Sequence, residues 1–238
     1  MINKKKILVV QFRTGISEIH EKLCFQESIG HTAVDLVYTN AIYGRLVSDL
    51  LDMVDGVILG GSGQYGVRFD EEKKWLPKVL DFIKKAENIN KPVLGICLGY
   101  QILGISQGGK VVCNSDQIEV GTFKITLASQ AKTDPIFRGL PENFEAQLGH
   151  KNIVTQLNGN LDYLAKSERV TVQAFKVRDK KIWAILFHPE LNNGRMKERL
   201  SMFPDYLPKD ADPDELFRDT PEAEKVLNNF LNIVINNG

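Results

Sequence analysis

Hydrophobic and polar positions along the chain follow two periods in turn. Ile7-Leu-Val-Val-Gln-Phe12 is a short, nearly continuous apolar run, the pattern of a buried strand. Ile16 to Ile29 follows with helical spacing and stops at Gly30. Ala33 to Tyr38 reads as a second strand, Leu46 to Met53 as a short helical piece, and Gly56 to Gly60 as a third strand. Asp70 is placed to cap a helix running to about Asn88, with Trp75, Leu76, Val79, Leu80 and Ile83 on one face. Pro92-Val-Leu94 is a fourth strand. Strands alternating with helices imply a parallel sheet with right-handed crossovers.

The pattern changes near residue 110. Lys110 to Cys113, Glu119 to Leu127 and Val170 to Val177 look like strands divided by turns, with no helical period between them. That pattern points to antiparallel pairing. Asp179-Lys-Lys181 makes a tight connection into the buried run Ile182 to Phe187. Thr220-Pro-Glu222 starts a closing helix with proline at its first position, and Val226, Leu227, Phe230, Leu231 and Val234 form its buried face. Arg195 to Phe203 has helical spacing and mixed charge, fitting a solvated surface helix or one that covers a site's edge or meets a partner. No repeat, low-complexity tract or linker interrupts residues 1–238, which read as one α/β domain.

Bulk composition narrows the function. Thirty basic residues balance thirty acidic ones among 238, which argues against a general nucleic-acid or anionic-membrane role. No apolar stretch reaches membrane-spanning length, and Ile7 to Val10 after Lys4-Lys-Lys6 is too short for a signal-peptide core. Three cysteines without close pairs, Cys24, Cys97 and Cys113, argue against a disulfide framework or a zinc site. A reducing cytoplasm is the simplest home, and it keeps a reactive thiol available.

One of those cysteines sits in a special frame. The Pro92 strand feeds Gly95-Ile-Cys97-Leu-Gly99, and an apolar helix start follows. This is the form of a nucleophile elbow with cysteine in place of serine. The flanking glycines suit a turn where backbone crowds backbone, and the helix N-terminus favours a thiolate. A buried structural cysteine beside a tight turn is the plain alternative. His188 ends the apolar run at Phe187-His188-Pro189-Glu190, where strand-end side chains reach the crevice of an open sheet. His188 and Glu190 lie two apart, so the carboxylate can orient the imidazole and the imidazole can activate a thiol. His20 and His31 read as structural or solvated.

The loop Gly60-Gly-Ser-Gly-Gln-Tyr-Gly66 contains Gly-x-Gly-x-x-Gly, but the next helix starts too late for a dinucleotide fingerprint. Small residues there can instead turn backbone N–H groups toward an oxyanion. Gly108-Gly-Lys110 lacks the spacing of a phosphate loop. No cofactor is expected.

Together these motifs resemble the class I, or triad, glutamine amidotransferase family. The elbow and the His-Pro-Glu motif, about ninety residues apart, carry the likeness with Gly60-Gly61. Segments around Glu119-Val-Gly121, Asp134 to Pro141 and Gly149-His150 look most like stand-alone domains similar to the glutaminase part of GMP synthase. The resemblance implies a three-layer, flavodoxin-like α/β fold: an open, mostly parallel sheet flanked by helices, with a smaller antiparallel sheet. It implies that Cys97 attacks the side-chain amide of glutamine, His188 moves the proton and Glu190 orients His188. Gly61 and Leu98 N–H groups would form the oxyanion hole. Gly60, Gln101, Glu119 and His150 would contact substrate. Leu148-Gly-His-Lys-Asn152 departs from the family's middle motif, in which an acidic residue soon follows the histidine. That departure leaves a γ-glutamyl peptide open as substrate beside glutamine, and a non-catalytic binding module remains a third class. No synthetase module is present in the sequence, so ammonia would pass to a separate subunit or be released.

Overall fold

A computed structural model of the chain describes residues 4–30, 34–68, 74–157, 160–209 and 211–236. The first half alternates as its periods require. The order is β1 (Lys5–Gln11), α1 (Ile16–Ile29), β2 (Val34–Asn40), β3 (Gly56–Leu59), α2 (Leu76–Asn88), β4 (Val93–Ile96) and α3 (Leu98–Ser106). A 3₁₀ turn at Ser48–Met53 is the short helical piece. Asp70 and His31 lie outside the described residues.

Six of the remaining strands follow: β5 (Lys110–Cys113), β6 (Glu119–Leu127), β7 (Asn143–His150), β8 (Asn152–Thr155), β9 (Leu161–Lys166) and β10 (Ala174–Val177). Then come β11 (Ile182–Ile185), α4 (Asn193–Ser201), α5 (Pro213–Leu216) and α6 (Pro221–Ile235). The large sheet has the order β2-β1-β3-β4-β11-β10-β9-β6-β7, and β5 pairs with β8 in a small antiparallel sheet. The strands β2, β1, β3, β4 and β11 run parallel, and the rest continue the sheet antiparallel. The parallel sheet, flanking helices and small antiparallel sheet agree with the expected class.

Two details differ from the sequence pattern. The Ile182 strand does not belong only to an antiparallel region: β11 lies parallel beside β4, with Ala184 opposite Gly95. And Val170–Val177 is strand only from Ala174, because Val170 turns back to bond Ser167.

Alternation along β1 explains the layers. Ile7 and Val9 enter one core with Phe25 of α1 and Val226, Phe230 and Val234 of α6. Leu8 and Val10 enter the opposite core with Val79 and Ile83 of α2 and Ile102 and Leu103 of α3. A strand stretch buried on both faces must be apolar on both, and Ile7–Val10 of β1, β3 and β4 are.

The join between β4 and α3 is the tightest place in the fold. Cys97 holds φ of +52°, a left-handed conformation that a residue with a side chain adopts at a cost. A Cβ on Gly95 would lie 2.7 Å from the carbonyl oxygen of Gly99, and one on Gly99 would press into the Leu59 carbonyl. The Gly99 N–H donates to the Gly60 carbonyl at 3.1 Å, so β3 and the elbow are locked together. Gly99→Ala is therefore expected to lower stability by about 3 kcal/mol, measured by denaturant melts. Gly139→Ala, where φ is +77° but no atom lies within 4 Å, is expected to cost only about 1 kcal/mol.

Candidate active site

The parallel strands β3, β4 and β11 end side by side, and their C-terminal ends deliver three pieces of one cleft. β4 turns into Cys97 at the start of α3, whose N-terminal dipole faces the thiol. The Cys97 N–H donates to Ile185 at 2.9 Å, tying the elbow to β11. Beyond β11 the chain reaches His188, whose N–H donates to the Gln147 carbonyl at 2.9 Å. Beyond β3 it reaches Gly61. A Cβ built on Gly61 would lie 3.0 Å from His188 Cε1, 3.3 Å from Arg13 Nη2 and 3.5 Å from Cys97 Cβ. A side chain there would crowd the His188 imidazole and the Arg13 guanidinium. Leu98, as first residue of α3, has an N–H with no acceptor inside the helix.

His188 Nδ1 lies 2.8 Å from Glu190 Oε1, and both side chains are buried. Arg199 on α4 donates from Nη1 to the same Oε1 at 3.0 Å. Burial works against the Glu190 charge, yet His188 and Arg199 outweigh it and hold the carboxyl down at about 2. Burial likewise opposes the His188 charge, but Glu190 and then Cys97 overcome it and raise the imidazole to about 9. The ring is thus an imidazolium across neutral pH, beside Cys97. The stability this raised group contributes is present below the ordinary histidine range and is lost as pH rises through about 9.

A second buried ion pair lies under the loop. Arg13 donates from Nε to Glu21 Oε1 at 3.0 Å, and Gln11 donates to Glu21 Oε2 at 3.1 Å. A Cβ on Gly60 would come within 2.8 Å of Glu21 Oε1. Gly60 also uses its N–H on Val10 and its carbonyl on Gly99, so it serves as a joint between strands. Ser62 accepts from the N–H groups of Gln64 and Tyr65, which folds the glycine loop without a helix; the next described helix is α2.

The other expected contacts are placed differently from the Cys97 group. Gln101 is buried and donates to the Asn152 carbonyl at 3.3 Å. His150 Nε2 lies 3.0 Å from Glu119 Oε2, and Gln173 donates to that oxygen at 2.5 Å. Both side chains of the His150–Glu119 pair are fully buried, and burial pushes His150 toward its neutral form. They do not line the cleft beside His188. Gly149 does, because neighbouring residues of β7 face opposite ways.

Several lining residues escape the motifs. The cleft is walled by Arg13, Met196, Arg199, Leu200, Phe203 and Tyr206 as well as by His188. Met196 packs over Gly149 and Phe203 over Gly63. Lys151 donates to the Asp205 carbonyl at 2.6 Å and sits 4.7 Å from the Tyr206 ring, pinning the turn after α4. So α4 covers the site, the second of the two roles its mixed charge allowed. A signal was available: Met196, Arg199, Leu200 and Phe203 share one helical face, and its one charge falls among apolar groups. His20, read as structural or solvated, is buried behind the cleft, where burial and then Arg199 push it down to about 4.

Comparisons with known proteins give the family. The sequence profile of the family described as glutamine amidotransferase class-I matches residues 27–203, and the chain belongs to that family. A glutamine-hydrolyzing GMP synthase subunit from Thermoplasma volcanium is 31% identical over 157 residues, 66% of this chain and 73% of the relative. Gamma-glutamyl peptidase 4 of Arabidopsis thaliana is 31% identical over 144 residues, 60% of this chain and 56% of the relative. A solved glutamine amidotransferase from Thermotoga maritima superposes with a TM-score of 0.78 at 22% identity, covering 98% of this chain and 99% of that one. That likeness carries the fold. Among the described residues, no helix is long and apolar enough to cross a membrane.

Glu190→Gln removes the charge that outweighs burial at His188. The alkaline limb of kcat/KM is therefore expected to move from about 9 down toward the ordinary imidazole range. A pH–rate profile checks this, and a limb that stays near its wild-type position would contradict it.

Proposed function

We propose that this glutamine amidotransferase hydrolyses the side-chain amide of glutamine through Cys97, His188 and Glu190. The observation that carries the proposal is the buried His188–Glu190 pair at 2.8 Å beside the strained Cys97 elbow. The Cys97 thiolate attacks the amide carbon, and the developing oxyanion takes hydrogen bonds from the N–H groups of Gly61 and Leu98. Protonated His188 donates to the departing ammonia, leaving a γ-glutamyl thioester. Neutral His188 then takes a proton from water as it attacks the thioester, and the thiolate and imidazolium are restored as glutamate leaves. Glu190 keeps Nδ1 protonated and the ring in place throughout.

The relative from Thermoplasma volcanium is named as one subunit of a synthase. On the strength of that relative's name, we assign the ammonia to a synthetase subunit or to release. A second reading keeps the same chemistry with a γ-glutamyl peptide as substrate. The gamma-glutamyl peptidase relative and the departure at Leu148-Gly-His-Lys-Asn152 both favour it.

Purified protein is expected to release ammonia from glutamine or cleave a γ-glutamyl peptide, with Cys97→Ala lowering the rate by roughly 10⁴-fold or more. Mass spectrometry after quenching should find a γ-glutamyl adduct on Cys97. Turnover that survives Cys97→Ala would sink the proposal.

A further inference from the structure

The cleft contains two buried guanidinium groups whose hydrogen bonds are only half used. Arg13 donates from Nε to Glu21, and Arg199 donates from Nη1 to Glu190. Arg13 Nη1 and Arg199 Nε and Nη2 are buried with no hydrogen-bond partner. Both side chains are more than nine-tenths buried, at 2% and 6% exposure. Both line the same cavity as His188. The rest of that lining is Ser62, two glycines and apolar or aromatic side chains, with no carboxylate among them. Glu21 and Glu190 keep the arginines charged but leave each fork with open donors. The two cations also repel each other: burial first, and then Arg199, lower the proton affinity of Arg13. Buried charged donors without acceptors are costly, and a ligand that supplied the acceptors would relieve both the desolvation and the repulsion.

We propose that Arg13 and Arg199 form a carboxylate subsite, and that the γ-glutamyl substrates of this site are held by a carboxylate docked between them. The γ-glutamyl half of the proposal rests on the function proposed above; the anion subsite does not. A planar, two-oxygen acceptor matches the edge of a guanidinium. The cavity as it stands is about 20 Å³, close to the least space that holds one water. Phe203, 6.0 Å from the Arg13 guanidinium carbon, and Tyr206 cover the space, and the turn that bears them must give way as substrate enters. Two carboxylates are candidates: the α-carboxylate of the γ-glutamyl unit, and one carried by the leaving group of a γ-glutamyl peptide.

Calorimetric titration of the Cys97→Ala protein separates them without turnover. The probes are γ-glutamylglycine, the same dipeptide with its glycine carboxylate as the amide, and the same dipeptide with its α-carboxylate as the amide. Blocking the docked carboxylate is expected to weaken binding about 10- to 100-fold. The arm that falls identifies which carboxylate docks. Arg199→Lys, which keeps a cation beside Glu190 but loses the fork, is expected to shrink the difference to a few-fold at most. Equal affinity for all three ligands, no binding by any of them, equally tight inorganic phosphate, or a full difference persisting in both Arg13→Lys and Arg199→Lys would overturn the proposal. If neither glutamine nor a γ-glutamyl peptide is turned over by the Cys97-intact protein, the hydrolytic function fails while the binding result still reads the subsite.

Discussion

The site depends on one buried carboxylate shared by two cations. Glu190 receives His188 from one side and Arg199 from the other, all three inside the protein. A lone carboxylate there would take up a proton, and a lone imidazolium would give one up. Each stays charged because the others do. The same contact docks α4, because Arg199 can reach Glu190 only when Met196 and Leu200 pack with Leu191, Val120 and Phe217. Electrostatics at the site and closure of its wall are therefore one event. Deleting a single partner would strand a buried charge, at about 3–5 kcal/mol.

The sheet explains why these groups meet. β11 lies parallel against β4, so the chain after Ile185 emerges beside the elbow after Ile96. β3 lies on the other side of β4 and brings Gly61 to the same end. The elbow is strained at Cys97 and is held by close glycine contacts and by the bonds to Gly60 and Ile185. Strain in the turn and charge in the Glu190 set act together: the first aims the thiol, and the second supplies the cation it faces.

The sequence makes the local parts of this plain and conceals the distant ones. Strands buried on both faces are continuous apolar runs, so β1, β3, β4 and β11 are legible, as are α1 and α6. Cys97, His188 and Glu190 stand in short motifs whose spacing carries the chemistry. β7 and β9 carry no such run: Asn143 to His150 mixes Glu145, Gln147 and Gly149 into the strand, and Leu161 to Lys166 mixes Asp162 and Tyr163. Their pairing is set by partners far away in the chain. Arg13 and Arg199 are hidden because a charge in sequence reads as solvent-facing. Only Glu21 and Glu190, brought to them by the fold, make their burial tolerable. Glu119 and His150 show the converse. Their segments are conspicuous in sequence, and the two side chains meet each other and Gln173 in the interior.

The central claim is that His188 is held as an imidazolium by Glu190 beside Cys97. An NMR titration following His188 Cε1 in the intact protein reads that state directly. The expected midpoint is at about 9. A midpoint in the ordinary histidine range, roughly 6.5, would mean that burial outweighs the carboxylate and would contradict the claim.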